Sequence, residues 1–234
     1  MELRRRFFRA VVGVLGFSLT APGQTPSPSS SSNSAKHIKK PAASTGTVLD
    51  TGAVTNGVYR NKTLALSCKI PQGWVLRTDE MNDRGEEEEE EKDQPDSGQS
   101  PAAAASSAGA KVLLAAFSRP PHARAEDVNS AILIAAESGA NYPGLKDAAQ
   151  YFGPLTEVAQ AQGLTIDEDP YEIAVGTKTL LRGDFHKDIG TRVLHQSTLA
   201  LLSRGYAISI TIIAGTEDEV EGLIDGLMFA AGGK

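Results

Sequence analysis

Cysteine is almost absent from this chain. Cys68 stands alone in 234 residues, so no internal disulfide can form. Long apolar runs are missing as well. The N-terminal run Ala10 to Leu19 has ten residues, and a membrane-crossing helix needs about 20. There is no Gly-x-Ser-x-Gly elbow to present a nucleophilic serine. Gly139, Gly144 and Gly153 are not spaced as a phosphate-cradling loop ahead of a helix. No repeat of fixed period occurs. Excess basic charge is also lacking: formal net charge is −6, with 23 Lys and Arg against 29 Asp and Glu. That balance gives no basic face for nucleic acid, and no nucleic-acid partner is expected.

What is present begins with Arg4, Arg5, Arg6 and Arg9, then the apolar run, then Ala21-Pro22-Gly23. This order is that of a secretory signal peptide over residues 1–23, cut after Gly23, and it predicts a periplasmic or secreted, bacterial protein. Arg4-Arg5-Arg6-Phe7-Phe8-Arg9 also resembles a twin-arginine export signal, with Leu3 where Ser or Thr is usual. No Cys lies near the cut, so a lipid anchor is not expected. Removing these residues takes away four arginines and Glu2, leaving 19 basic against 28 acidic residues, a formal charge of −9.

Two stretches lack the apolar content to order themselves. Residues 24–55 are rich in Ser, Pro, Thr, Ala and Gly and are expected to be a disordered leader. Residues 82–109 join the run Glu86 to Glu91 to an Ala-rich segment and are expected to be a low-complexity surface insertion. The domain is expected over 56–231.

Within it, Leu64, Leu66, Cys68 and Ile70 alternate, placing a buried structural thiol on one face of a strand. Val75 to Thr78 reads as a second short strand. Lys111 to Ser118 and Ala131 to Ala136 are apolar on both faces, as centrally placed strands are. Residues 145–162 read as a helix that Pro154 should kink and Gly163 should stop. Tyr171 to Val175, Lys178 to Lys187, Arg192 to Ser203 and Tyr206 to Ile213 read as strands, the last two joined by a tight Arg204-Gly205 turn. Thr216 and Glu219 form a capping box for a final helix whose apolar face carries Val220, Leu223, Ile224, Leu227 and Met228. The order predicts an α+β fold: a three-layer α/β/α sandwich around a central, mainly antiparallel sheet.

Several of these segments resemble the PsbP-like superfamily, which includes the PsbP proteins of photosystem II, Mog-type Ran-binding proteins and exported bacterial relatives of unknown function. The resemblance is carried by Tyr59-Arg60-Asn61, Ile70-Pro71-Gln72-Gly73-Trp74, the Arg204-Gly205-Tyr206 turn, the apolar Ala207 to Ile213 strand after it, and the closing helix ending at Phe229. It implies an α/β/α sandwich that acts as a binding or assembly module rather than an enzyme. Neither the metal-ligand set of the PsbP proteins nor a Ran-contact surface can be matched here.

Chemistry-bearing residues are sparse. Of the four histidines, His37 and His122 lie in the expected leader and a loop. His186 and His195 flank the turn at 188–191. With Ile189-Gly190 as a two-residue loop, Asp184, His186, Asp188 and His195 share one face of the 182–197 hairpin. Asp184, His186 and His195 are therefore candidate ligands for a divalent metal. Asp167, Glu168 and Asp169 are consecutive and read as a solvated turn. Arg182 and Arg204 could hold an anion, but single arginines beside strands usually pair with acids. The expected function is an exported, non-catalytic binding or envelope-assembly domain, with an unknown protein or small ligand as partner and no cofactor. The alternatives are a divalent-metal-binding protein using the hairpin, and a small enzyme with a pocket between a curved sheet and the 145–162 helix.

Overall fold

A strand that is apolar on both faces needs cover on both, and this requirement organises the structure. The structure, a computed structural model, describes residues 49–83, 110–120 and 127–231. Its larger sheet runs β4 (Val75–Leu76), β5 (Ala110–Phe117), β6 (Ala131–Ser138), β11 (Tyr206–Ala214), β10 (Arg192–Ser203) and β9 (Lys178–Ile189). The outer edge of β9 is shared by β8 (Tyr171–Val175) and β7 (Thr165–Ile166). A smaller sheet has the order β1 (Ala53–Thr55), β2 (Val58–Asn61), β3 (Leu66–Lys69) and β12 (Leu227–Phe229). Helices are few: α1 over residues 78–83, α2 (Ala148–Ala161) and α3 (Glu217–Ile224). Every described strand pairing is antiparallel.

One face of the large sheet, with Leu114, Ile132, Ile134, Leu199, Ile208 and Ile210, packs on the small sheet through Tyr59, Leu66, Cys68 and Phe229, and on α3 through Val220, Leu223 and Ile224. The other face, with Val112, Leu133, Phe185, Ala200 and Ile213, packs on Tyr151, Phe152 and Ala159 of α2 and on Met81 of α1. The fold is thus a sheet-rich α+β arrangement. It departs from the expected α/β/α sandwich because one face is covered mainly by a second sheet.

That departure has a local cause. The final helix was expected to run through Met228, but α3 ends at Ile224 and Leu227-Met228-Phe229 forms a strand against β3. Leu227 and Phe229 are buried while Met228 between them is 52% exposed. Period-two burial over three residues is strand behaviour, and Gly226 breaks the helix before it. β12 is then tied to the large sheet by Thr177 N–H, which donates to Phe229 O at 2.9 Å.

Other expectations meet the structure at specific residues. In β5 the ladder shifts between Val112 and Leu114. This bulge puts both Leu113 and Leu114 into the same core face. Asn82 bonds both backbone groups of Val112 there, each at 3.0 Å. Residues 82 and 83 of the expected insertion are therefore helical and packed; 84–109 lie outside the described residues. The expected leader ends earlier than 55, because β1 begins at Ala53, and Asp50 O accepts from Asn61 Nδ2 at 2.6 Å. The export signal and the rest of the leader lie outside the described residues. α2 carries Pro154 without a break. The residue before a proline is crowded through its Cβ, and Gly153 has none. Asp147 caps α2, and Gly163 at φ +80° ends it. No helix among the described residues is long and apolar enough to cross a membrane.

The segments that carry the family resemblance act structurally. Tyr59 is buried and donates to Thr51 O at 2.9 Å, while Asn61 Oδ1 accepts from Leu64 N–H at 2.9 Å. Together they pin the chain where it enters the small sheet. Trp74 lies half-buried against the core after the Pro71 turn.

Two outcomes follow from this packing. Cys68 is 0% exposed, and burial pushes its thiol up to about 12. A folded value raised above the unfolded one leaves stability intact below about pH 9 and removes it as pH rises towards 12. The native thiol should therefore resist a thiol reagent at pH 8 and react only on unfolding, and Cys68→Ala should flatten the alkaline stability profile. At Gly176, φ is +59° and an added Cβ would lie 2.3 Å from Phe229 O. Gly176→Ala should cost about 2–4 kcal/mol in a urea titration, against about 1 kcal/mol for Gly190→Ala, whose surroundings are open.

Candidate functional site

The polar face of the β9–β10 hairpin comes from strand alternation. Leu180, Arg182, Asp184 and His186 project to one side of β9, and Leu181, Gly183, Phe185 and Lys187 to the other. The turn is Gly190-Thr191, one residue later than expected, with Ile189 opposite Arg192. Because the loop still has two residues, Asp184, His186, Asp188 and His195 keep to one face. Their partners differ: His186 stands opposite His195, and Asp184 opposite Ser197. This is the face that α3 covers, and α3 adds Glu217, Val220 and Glu221, one helical turn of side chains.

Arg182 is the centre of the cluster. It is 8% exposed. Its Nε donates to Asp184 Oδ1 at 2.9 Å, its Nη2 donates to Glu221, and its guanidinium lies 5.7 Å from the centroid of the Tyr171 ring. Tyr171 Oη donates to the second Asp184 oxygen at 2.8 Å. Burial opposes the Arg182 charge, but bonds to Glu221 and Asp184 outweigh it and hold the guanidinium protonated more firmly than usual. Burial, with the Asp184 carboxylate next, pushes the Tyr171 hydroxyl up to about 12, so it remains a donor.

The histidines have separate partners. His186 Nδ1 meets Asp167, and His195 Nδ1 lies 3.7 Å from Glu217. The three expected metal ligands thus share a face, but Asp184 is engaged by Arg182 and Tyr171, and each histidine faces a different acid. Among the described residues no group of three or more His, Cys, Asp or Glu is arranged to hold a metal ion. His37 and His122 lie outside the described residues.

These groups line a pocket of about 240 Å³ bounded by Asp167, Glu168, Tyr171, Arg182, Asp184, His195, Glu217 and Glu221 among others. Sequence reasoning placed Asp167 and Glu168 on a solvated turn; the structure brings both to the pocket because β7 pairs with β9 just before them. It also missed Glu217 and Glu221, although their spacing of four beside the Thr216 cap put them on one helix face. Arg182 pairs with acids, as single arginines beside strands usually do. Ser197, on the same face and 0% exposed, has no hydrogen-bond partner for its Oγ, so neither His195 nor Asp184 activates it.

The pocket lies on the opposite face of the sheet from α2. Against α2 the sheet packs closely at Gly183, where an added Cβ would meet the Phe152 ring at 2.6 Å. A second, more apolar concavity of about 620 Å³ surrounds Trp74, with Val54, Ile70 and Leu76 among its walls.

No protein family matches the chain, and comparison with curated proteins gives no match. Solved structures show weak likenesses. A protein of unknown function from Pseudomonas aeruginosa is 14% identical, with 55% of this chain and 78% of that one covered and a TM-score of 0.32. A Bacteroides thetaiotaomicron protein is 12% identical, with 72% and 46% covered and a TM-score of 0.35. LpqN of Mycobacterium tuberculosis, described as involved in cell envelope biogenesis, is 15% identical, with 69% and 76% covered and a TM-score of 0.33. All three scores are below 0.5, so these likenesses do not establish a shared fold, and the PsbP-like resemblance is not confirmed.

Asp184 is the residue that the cluster can least spare. Asp184→Ala leaves a buried guanidinium and a tyrosine hydroxyl without their shared acceptor and should cost about 3–5 kcal/mol in chemical denaturation. Asp184→Asn keeps an acceptor oxygen and should cost less than half of that.

Proposed function

We propose that this protein is an exported, non-catalytic binding domain, PsbP-like in kind, whose binding site is the Arg182 pocket. The observation that carries the reading is a concave site on an otherwise apolar sheet face, lined by charged groups that the fold itself holds in place. Arg182, Asp184 and Tyr171 restrain one another through three contacts, which gives a preorganised surface at little ordering cost to a ligand. The non-catalytic part rests on occupied chemistry. Asp184 already accepts two donors, His186 is held by Asp167, and the buried Ser197 hydroxyl has no hydrogen-bond partner. Export rests on the arginine-led apolar start of the chain.

The site is tested by charge reversal at its rim. Glu168 is exposed, and the Glu217 side chain is 84% exposed, so Glu168→Lys with Glu217→Lys leaves the core untouched. Affinity capture from a bacterial envelope fraction should recover a protein or metabolite with the wild-type chain and lose it with the double variant. Equal recovery by both would move the binding site elsewhere.

A further inference from the structure

We infer that the cleft beside Trp74 is a second binding site, and that it takes a free amphiphile with an anionic head and an apolar tail, of the long-chain carboxylate class. It shares no residue with the Arg182 pocket. Its volume of about 620 Å³ falls within the roughly 300–1,000 Å³ of small-molecule sites. The apolar walls are Val54, Val58, Ile70, Pro71, Trp74 and Leu76. Solvent exposure singles out the same place independently. Of the five large apolar side chains left exposed among the described residues, Val54 and Leu76 are two. An apolar tail lying in the cleft would take that surface out of water. The walls are also fixed before a ligand arrives. One is the β1–β2 turn at Asn56-Gly57, and the other is the turn from Pro71 to Gly73; Asn56, Gly57 and Gly73 all take positive φ. Ile70 N–H donates to Gly57 O at 2.8 Å, which ties the start of the second wall to the first, and Trp74 N–H donates to Pro71 O at 3.3 Å. A preformed cleft costs a ligand little ordering.

Charge around the cleft selects the head group. Among the described residues that line it, Lys69 alone is charged, and its ammonium has no hydrogen-bond or ion-pair partner among the described residues. Lys69 stands opposite Val58, and Arg60 opposite Ser67, so the two cations share the outer face of the small sheet. No acid occupies a paired position of that face, whose other members are Ala53, Thr55 and Met228. In a chain with 29 acids against 23 bases, this is a local reversal of sign, and it attracts an anion. An extended peptide is a poorer fit. The open outer strands here, β1 and β4, have three and two residues, shorter than the roughly five of a usual strand and too short to template another.

Trp74 is the only tryptophan of the chain, so its emission reads this cleft directly. The full chain is titrated, below micelle-forming concentrations, with dodecanoate, with dodecyltrimethylammonium (a tail of the same length under the opposite charge) and with acetate (the head without the tail). Dodecanoate should shift the emission to the blue and saturate, and acetate should leave it unchanged. Dodecyltrimethylammonium should bind about fivefold or more weakly than dodecanoate. Lys69→Glu should weaken dodecanoate binding about fivefold or more and narrow or reverse that preference. Leu76→Ser should weaken both tailed probes, and circular dichroism should stay native in each variant. The absence of a saturable shift with dodecanoate, equal affinity for the two tailed probes, or unchanged dodecanoate binding in Lys69→Glu would overturn the inference. A wild-type dimer that Leu76→Ser dissociates would overturn it by assigning the cleft to a second copy. A shift with phosphatidylglycerol vesicles but not with dodecanoate would overturn it by assigning the surface to a membrane.

Discussion

The rest of this structure depends on a sheet whose central strands are apolar on both faces. Backbone pairing satisfies the polar main chain of β6, β11, β10 and β9, but leaves two oily surfaces that water cannot be allowed to reach. The small sheet with α3 closes one and α2 closes the other. β9 and β10 are twelve residues long, longer than the cover above them. Where α3 begins, near the turn end of that hairpin, the apolar face gives way to Arg182, Asp184, His186 and His195. The pocket is therefore a consequence of the fold's proportions: it forms where a long hairpin outruns its lid.

A buried arginine at that boundary is demanding. Its charge cannot be withdrawn by deprotonation, so the surroundings must supply anions. Asp184 does so from the same strand, Tyr171 from the adjacent strand orients Asp184, and Glu221 reaches down from α3. Three separate elements are thereby linked through one guanidinium. Such a pair contributes little net stability compared with an apolar replacement, but breaking it is costly, which makes it a device for geometry more than for strength.

Strand and helix positions were legible because their cause is local. Thr216 caps α3 through Glu219 N–H, Arg204 and Gly205 both take positive φ in the hairpin turn, and Leu66 and Cys68 face inward by alternation. The errors came where tertiary pairing overrides local pattern. Leu227 and Met228 continue a helical stripe on paper, yet pairing with β3 makes them strand. β1 is too short and too exposed to declare itself in sequence, and exists because β2 offers an edge. The shared face of Asp184, His186 and His195 followed from parity alone. Which acid each one meets did not, because Asp167, Glu217 and Glu221 arrive from other elements.

A second polar cluster on the same sheet shows why the Arg182 pocket, and not every buried charge, reads as a site. On the α2 side Glu137 is buried and accepts from Tyr151 Oη at 2.7 Å and from Tyr142 Oη. Burial, with Glu137 next, raises the Tyr151 hydroxyl far above its ordinary range, so it stays a donor. This cluster is closed: tyrosine donors on helix and loop meet one carboxylate, and the Tyr142 and Tyr151 rings pack edge to face at 5.7 Å. Its evident work is to fasten α2 and the preceding loop to β6. At Arg182 the donors are likewise spent inward, but Glu168 and Glu217 are exposed beside a cavity. One cluster is shut by its own partners and the other opens on a concavity, and that difference is why the proposed binding role is placed at Arg182 and not at Glu137.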